Sequence, residues 1–145
     1  MIYEKKNMAE GYIGSPKSTA GAGVFTPGLA KTAEKYLETV NSDLKVYNLY
    51  GTELDELLKL TDAGYEVIVW TTEGMGAVEF AGGTYKHEDQ VYRWYTREHC
   101  AVIFGYDLEK KMILINDPVD GKVKRNLDAF RRIHDEIGRF AMVIM

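Results

Sequence analysis

His99 and Asp117 are the two residues of this sequence best placed to do acid–base chemistry together. A carboxylate beside one nitrogen of an imidazole fixes the tautomer and stabilises the protonated ring. The other nitrogen is then left to take a proton from a nucleophile. The two residues stand at the outer ends of two apolar runs, 99–106 and 111–116, joined at Asp107-Leu108-Glu109-Lys110. Such runs with a short polar connection read as a β-hairpin. A three- or five-residue connection centred on Leu108 puts His99 directly opposite Asp117, with Cβ atoms about 5 Å apart on one face of the sheet. A four-residue connection makes them offset neighbours. The same residues also read as a plain cross-strand pair, or as an Asp117 that caps the turn before Pro118. Spacing alone leaves these readings open.

A nucleophile is harder to find. Cys100 is the only cysteine. It follows His99 directly, and successive strand side chains point to opposite faces, so its thiol is expected to turn away from the imidazole and fill core. Ser15, Ser18, Thr19 and Thr26 carry hydroxyls in a Gly-rich stretch, but their spacing recommends none of them. His87, Glu98, His99 and Asp117 match no standard zinc spacing, so no metal is expected. The glycines of 11–28 form neither a P-loop nor a dinucleotide fingerprint, and no cofactor is expected. Tyr85, Tyr92, Trp94 and Tyr95 read first as packing and second as a ligand-binding wall. His134 reads as a residue at the edge of a helix's apolar stripe.

The elements that position these residues follow from periodicity and turn chemistry. Residues 11–28 read as a long Gly-rich loop. Thr26 then caps a helix with Pro27 at its first position and Ala30, Ala33, Leu37 and Val40 on its inner face. A strand is expected over 45–50. A second helix opens on a capping box at Thr52-Glu53-Leu54-Asp55 and ends before Gly64. Strands are expected over 66–71 and 91–95, with a Gly-rich loop at 73–83 between them. After the 99–116 hairpin come a turn at 117–121, a short strand over 122–125, a third helix capped by Asn126 and ended by Gly138, and a closing strand over 140–145. Helices followed by a mostly antiparallel sheet make an α+β fold, and residues 1–145 are expected to form a single domain.

Bulk composition excludes several classes. The chain has 145 residues, 46% of them apolar and 28% charged, which is the profile of a globular protein. Its formal charge is −4 and its basic residues form only pairs, so no nucleic-acid partner is expected. No stretch approaches the roughly 18 apolar residues of a membrane span. The N-terminus lacks the apolar core of a signal peptide, which leaves both cytoplasmic and exported locations open.

The motifs also carry a family resemblance. Glu98-His99-Cys100-Ala101-Val102-Ile103-Phe104-Gly105-Tyr106-Asp107, followed by Ile115-Asn116-Asp117-Pro118 and Gly121, resembles the histidine and aspartate signature of C39-like peptidases. Gly21-Ala22-Gly23-Val24-Phe25-Thr26-Pro27 is similar to the family's glycine segment, and Val67-Ile68-Val69-Trp70-Thr71-Thr72 to its strand ending in Trp-Thr-Thr. The resemblance runs from about residue 11 to the C-terminus. It implies a papain-like fold in which His99 is the general base and Asp117 its orienter. Trp70, Thr71 and Gly23 would line a cleft for a peptide substrate or ligand. It also implies a cysteine nucleophile on an early helix, and nothing before Cys100 is a cysteine. The expectation is a papain-like domain incomplete at its N-terminus, inactive as it stands, or a module that binds peptides or cell-wall fragments without cutting them. A sheet face left open in this way is expected to drive homo-oligomer formation.

Overall fold

A computed structural model describes residues 7–15, 17–18 and 21–145. The elements in order are α1 (Thr26–Thr39), β1 (Val46–Asn48), α2 (Leu54–Asp62), β2 (Val67–Thr72), a 3-10 turn (Glu73–Met75), β3 (Phe80–His87), β4 (Gln90–Tyr95), β5 (Glu98–Asp107), β6 (Met112–Asp117), β7 (Gly121–Asn126), α3 (Leu127–Glu136) and β8 (Ala141–Ile144). Six strands form one sheet in the order β1-β8-β2-β5-β6-β7, and every neighbouring pair is antiparallel. β3 and β4 form a separate hairpin. The fold is α+β, as the element order predicts.

β2 lies at the centre of the sheet, and Val67, Val69, Trp70, Thr71 and Thr72 are all buried. Its two sides belong to two cores. Val67 and Val69 pack with Leu54, Leu57, Ala101, Ile103, Ile113, Ile115 and Phe130. Trp70 packs with Met8, Phe25, Tyr92, Ile137, Phe140 and Met142. The second core includes the aromatic hairpin: the Phe25 ring stacks on Tyr92 and Phe140 with centroids 5.4 and 5.2 Å apart and meets Tyr85 edge-on. Tyr85 and Tyr92 are thus packing residues in this structure.

Helix starts show where sequence signals meet tertiary competition. Asn126 caps α3 as expected: its Oδ1 accepts a hydrogen bond from Ala129 N–H at 2.9 Å. The other two expected caps are not formed. α1 starts one residue early, with Phe25 in the cap position and the Thr26 hydroxyl buried without a hydrogen-bond partner among the described residues. Phe25 decides this. Its ring is buried in the aromatic stack, and its N–H donates to Met8 O at 2.9 Å, so the chain enters the helix with Thr26 already turned inward. In α2 the cap position falls to Glu53, and no side chain closes the first turn. The Thr52 carbonyl instead accepts a hydrogen bond from the ring of His134 at 3.0 Å. His134 is 0% exposed, which corrects its reading as a boundary residue.

Two loop expectations are also corrected. The stretch 11–28 is not free loop throughout: Ile13 and Gly23 form an antiparallel bridge, and Ala22 N–H donates to Ile13 O at 2.8 Å. Gly23 has φ +130, a conformation that L side chains rarely adopt. The expected loop over 73–83 ends early, because β3 begins at Phe80 and runs through Gly82 and Gly83. A Cβ on Gly83 would meet Tyr85 and Trp94 at 3.1 and 3.2 Å, so this glycine makes room for aromatic rings.

Candidate functional site

The start of β5 is held on both sides. β2 pairs with it so that Thr71 faces His99 and Trp70 faces Cys100. On the other side, β6 meets it in a hairpin whose pairing begins at Asp107 and Met112 and leaves a four-residue connection. That connection does not by itself bring His99 and Asp117 together. Carried straight along, the pairing of Gly105 with Leu114 would put Asp117 on the face opposite His99, because side chains alternate with a period of two. A β-bulge between Ile103 and Gly105 changes the outcome. Phe104 is the extra residue, and beyond it Ile103 pairs with Ile115 and Val102 with Asn116. One further step sets Asp117 across from Ala101, on the face of His99 and one pair away. The expectation that a four-residue connection alone makes offset neighbours is therefore corrected: the bulge supplies the parity.

The two side chains meet. His99 Nε2 lies 2.9 Å from Asp117 Oδ1, and the side chains are 14% and 4% exposed. The same oxygen accepts hydrogen bonds from the N–H groups of Val119 at 2.8 Å and Asp120 at 3.1 Å. Asp117 therefore caps the turn before Pro118 and meets the histidine at once. Burial pushes the Asp117 carboxyl up, but the Asp120 N–H, the His99 hydrogen bond and the Val119 N–H together outweigh it and hold the group below the ordinary carboxylate range. An ionised carboxylate only accepts, so Nε2 carries the proton of the neutral ring and Nδ1 keeps its lone pair.

A cavity of about 680 Å³ opens beside this pair, between the glycine segment and the sheet. Its lining includes Tyr12, residues 21–24, Leu29, Trp70, Glu98, His99, Cys100, Pro118 and Val119. Trp70 builds one wall: its indole N–H donates to Val24 O at 3.2 Å and so ties β2 to the glycine segment. Leu29, Cys100 and Pro118 also border an apolar groove of about 330 Å³ that continues over Ile68 and Val102 on the sheet.

The comparisons with known proteins bear on this geometry. The model of the Peptidase_C39 like family matches residues 1–142. The chain belongs to the C39-like peptidase family. A crystal structure of a C39-like peptidase from Bacillus anthracis superposes with a TM-score of 0.78 at 27% identity, covering 97% of this chain and 70% of that one. No curated protein matches the chain.

Set on this C39-like fold, the candidate residues fall into two groups. His99, Trp70 and Gly23 line the cavity, and Asp117 stands directly behind His99. Thr71 is not among the lining residues: it is 2% exposed, and its hydroxyl lies 3.9 Å from Met75 Sδ. Cys100 shares the face of Trp70 rather than that of His99, in keeping with strand alternation. Burial pushes its thiol up to about 12, with the neighbouring Glu98 carboxyl adding to the effect. Such a group is a thiol, not a thiolate, at neutral pH. Thr19 lies outside the described residues. Thr26 is buried in α1. Among the described residues no three His, Cys, Asp or Glu side chains gather as a metal site requires, and no helix is long and apolar enough to cross a membrane.

One functional candidate, Glu98, is weighed in the sequence only as a metal ligand. Glu98 lines the cavity, and its Oε2 is buried without a hydrogen-bond partner among the described residues. Burial pushes its carboxyl up to about 8, offset in part by a hydrogen bond from the Tyr95 N–H. The signal was available: Glu98 is an acidic residue in register with Cys100 and Val102 on an apolar strand face.

Proposed function

We propose that this chain is a C39-like peptidase domain that retains the base and orienter of a cysteine peptidase, His99 and Asp117, together with the cleft that receives a peptide. The observation that carries the reading is the 2.9 Å contact between His99 Nε2 and a buried Asp117 carboxylate already locked by two backbone N–H groups. This arrangement leaves Nδ1 as the nitrogen that would accept a proton from an attacking thiol. Trp70 and Gly23 shape the cleft wall, and Thr71 supports His99 from the neighbouring strand. The ligand is a peptide, and no cofactor takes part.

The chain supplies no thiolate to His99. Cys100 points to the other face and is held as a thiol. With no nucleophile aligned to the base among the described residues, covalent peptide cleavage has no first step. The chain as it stands is therefore inactive in hydrolysis. The second reading is a module that holds a peptide or cell-wall fragment without cutting it; the preformed cavity beside His99 favours it.

Two measurements test the proposal together. Incubation with a fluorogenic peptide library and a peptide aldehyde is expected to give neither turnover nor a covalent adduct. Turnover abolished by His99→Ala would show an unrecognised nucleophile and overturn the inactive reading. Imidazole NMR is expected to show His99 with its proton on Nε2, and Asp117→Asn is expected to disturb that tautomer. An Nδ1–H tautomer in the wild type would remove His99 as a base.

A further inference from the structure

We propose that Glu98 is the specificity-determining residue of the cleft, and that it selects peptides carrying a lysine or arginine side chain by pairing with the cationic head. This inference rests on the reading of the cavity as a peptide cleft.

The residues lining the cavity include one carboxyl, that of Glu98, and no lysine or arginine among those described. The titratable groups that face it there are Tyr12, His99 and Cys100. The imidazole of His99 also lines the cavity but is hydrogen-bonded to Asp117, so it does not serve as the counter-ion. Glu98 Oε2 makes no hydrogen bond within the described protein, and the Tyr95 N–H is the one donor that reaches the carboxyl. A carboxyl oxygen buried with neither a cation nor a donor is costly to keep, and such a group in a cavity calls for an explanation that a cationic ligand would supply.

The walls fit the rest of such a side chain. Val24, Leu29 and Val119 offer apolar surface to a methylene stem, and Tyr12 and Trp70 are aromatic. Strand alternation puts Glu98 on the face of Trp70 and Cys100, one residue along from His99. A peptide whose basic side chain reaches Glu98 thus lies in a cavity that His99 also lines. At neutral pH the unliganded carboxyl holds its proton, since burial has raised it to about 8. A bound cation stabilises the ionised form, so binding expels that proton to solvent.

The test compares two blocked tripeptides, Ac-Ala-Lys-Ala-NH2 and its norleucine counterpart, by isothermal titration calorimetry at pH 6.5 in buffers of different ionisation enthalpy. The lysine peptide is expected to bind at least about tenfold more tightly, the low end of what a desolvated charge pair contributes, and to release about one proton. Glu98→Gln is expected to keep the norleucine affinity and lose both the preference and the proton release. Equal affinities in the wild type, or a lysine preference unchanged in Glu98→Gln, overturn this inference while the cleft stands. Absence of binding by both peptides overturns the cleft reading as well. Because the lysine–norleucine comparison uses wild-type protein, it holds even if the variant folds poorly.

Discussion

Glu98 and His99 are consecutive residues whose side chains leave β5 on opposite faces. On one face His99 meets Asp117, and the carboxylate oxygen that holds it also accepts from two backbone N–H groups. On the other face Glu98 lies beside Cys100 and Trp70, lines the cavity, and keeps one buried oxygen unmatched among the described residues. The first arrangement is finished by the protein itself. The second is unfinished, and burial raises both titratable groups on it, Glu98 to about 8 and Cys100 to about 12. On the proposed reading these opposite treatments suit a base and its orienter on one face and a recognition group on the other, because a catalytic pair must be fixed before substrate arrives whereas a recognition group must still have something to gain.

The sharpest way to break the contrast is to delete Phe104. Without the bulge, the two halves of β5 cannot both keep their faces against β2 and β6. The expected result is loss of the Nε2–H signal of His99 and destabilisation of about 4 kcal/mol or more in urea unfolding. An intact His99 signal would show that the bulge does not set the pair. Asp117→Ala comes next. It strands three donors, from His99, Val119 and Asp120, and is expected to cost about 2–4 kcal/mol by the same measurement.

Glu98→Gln has a smaller effect with a distinctive pH dependence. The folded carboxyl titrates above its ordinary value, so the folded state binds more protons than the unfolded chain between the two. The stability contributed by neutral Glu98 is fully present below about pH 4.5 and is lost as pH rises through about 8. Glutamine removes the titration. The variant is expected to match wild type near pH 4.5 and to melt several degrees higher above pH 8; parallel melting curves would contradict this. The smallest effect concerns the apolar groove over Ile68, Cys100 and Val102. If a second copy covers it, light scattering is expected to show mass rising with concentration, and Val102→Lys is expected to suppress the rise. A constant monomer mass would remove self-association from the account.

The elements of the sheet were largely legible in the sequence, and so was the His99–Asp117 pair. The apolar runs at 99–106 and 111–116 are long, β-branched and separated by a polar connection, so their pairing is hard to avoid. What escaped was parity. Phe104 reads as one more apolar residue in an apolar run, and only the partner strand reveals that it is extra. The helix caps divide along a similar line. Asn126 caps α3, whereas the buried Phe25 ring turns Thr26 inward and the α2 cap position falls one residue past Thr52, to Glu53. β3 was hidden by Gly82 and Gly83, which lower strand propensity while serving the rings of Tyr85 and Trp94. Glu98 reads in the sequence as a dismissed metal ligand and as an acidic residue on an apolar strand face, but its lack of partners becomes visible only when its whole surroundings are known.

The bond from the Trp70 indole to Val24 O has a practical consequence. One of only two tryptophans reports directly on whether the glycine segment is seated against the sheet. Water reaching that indole shifts its fluorescence to longer wavelength, so the chain carries a built-in optical gauge of how often its cleft wall comes away.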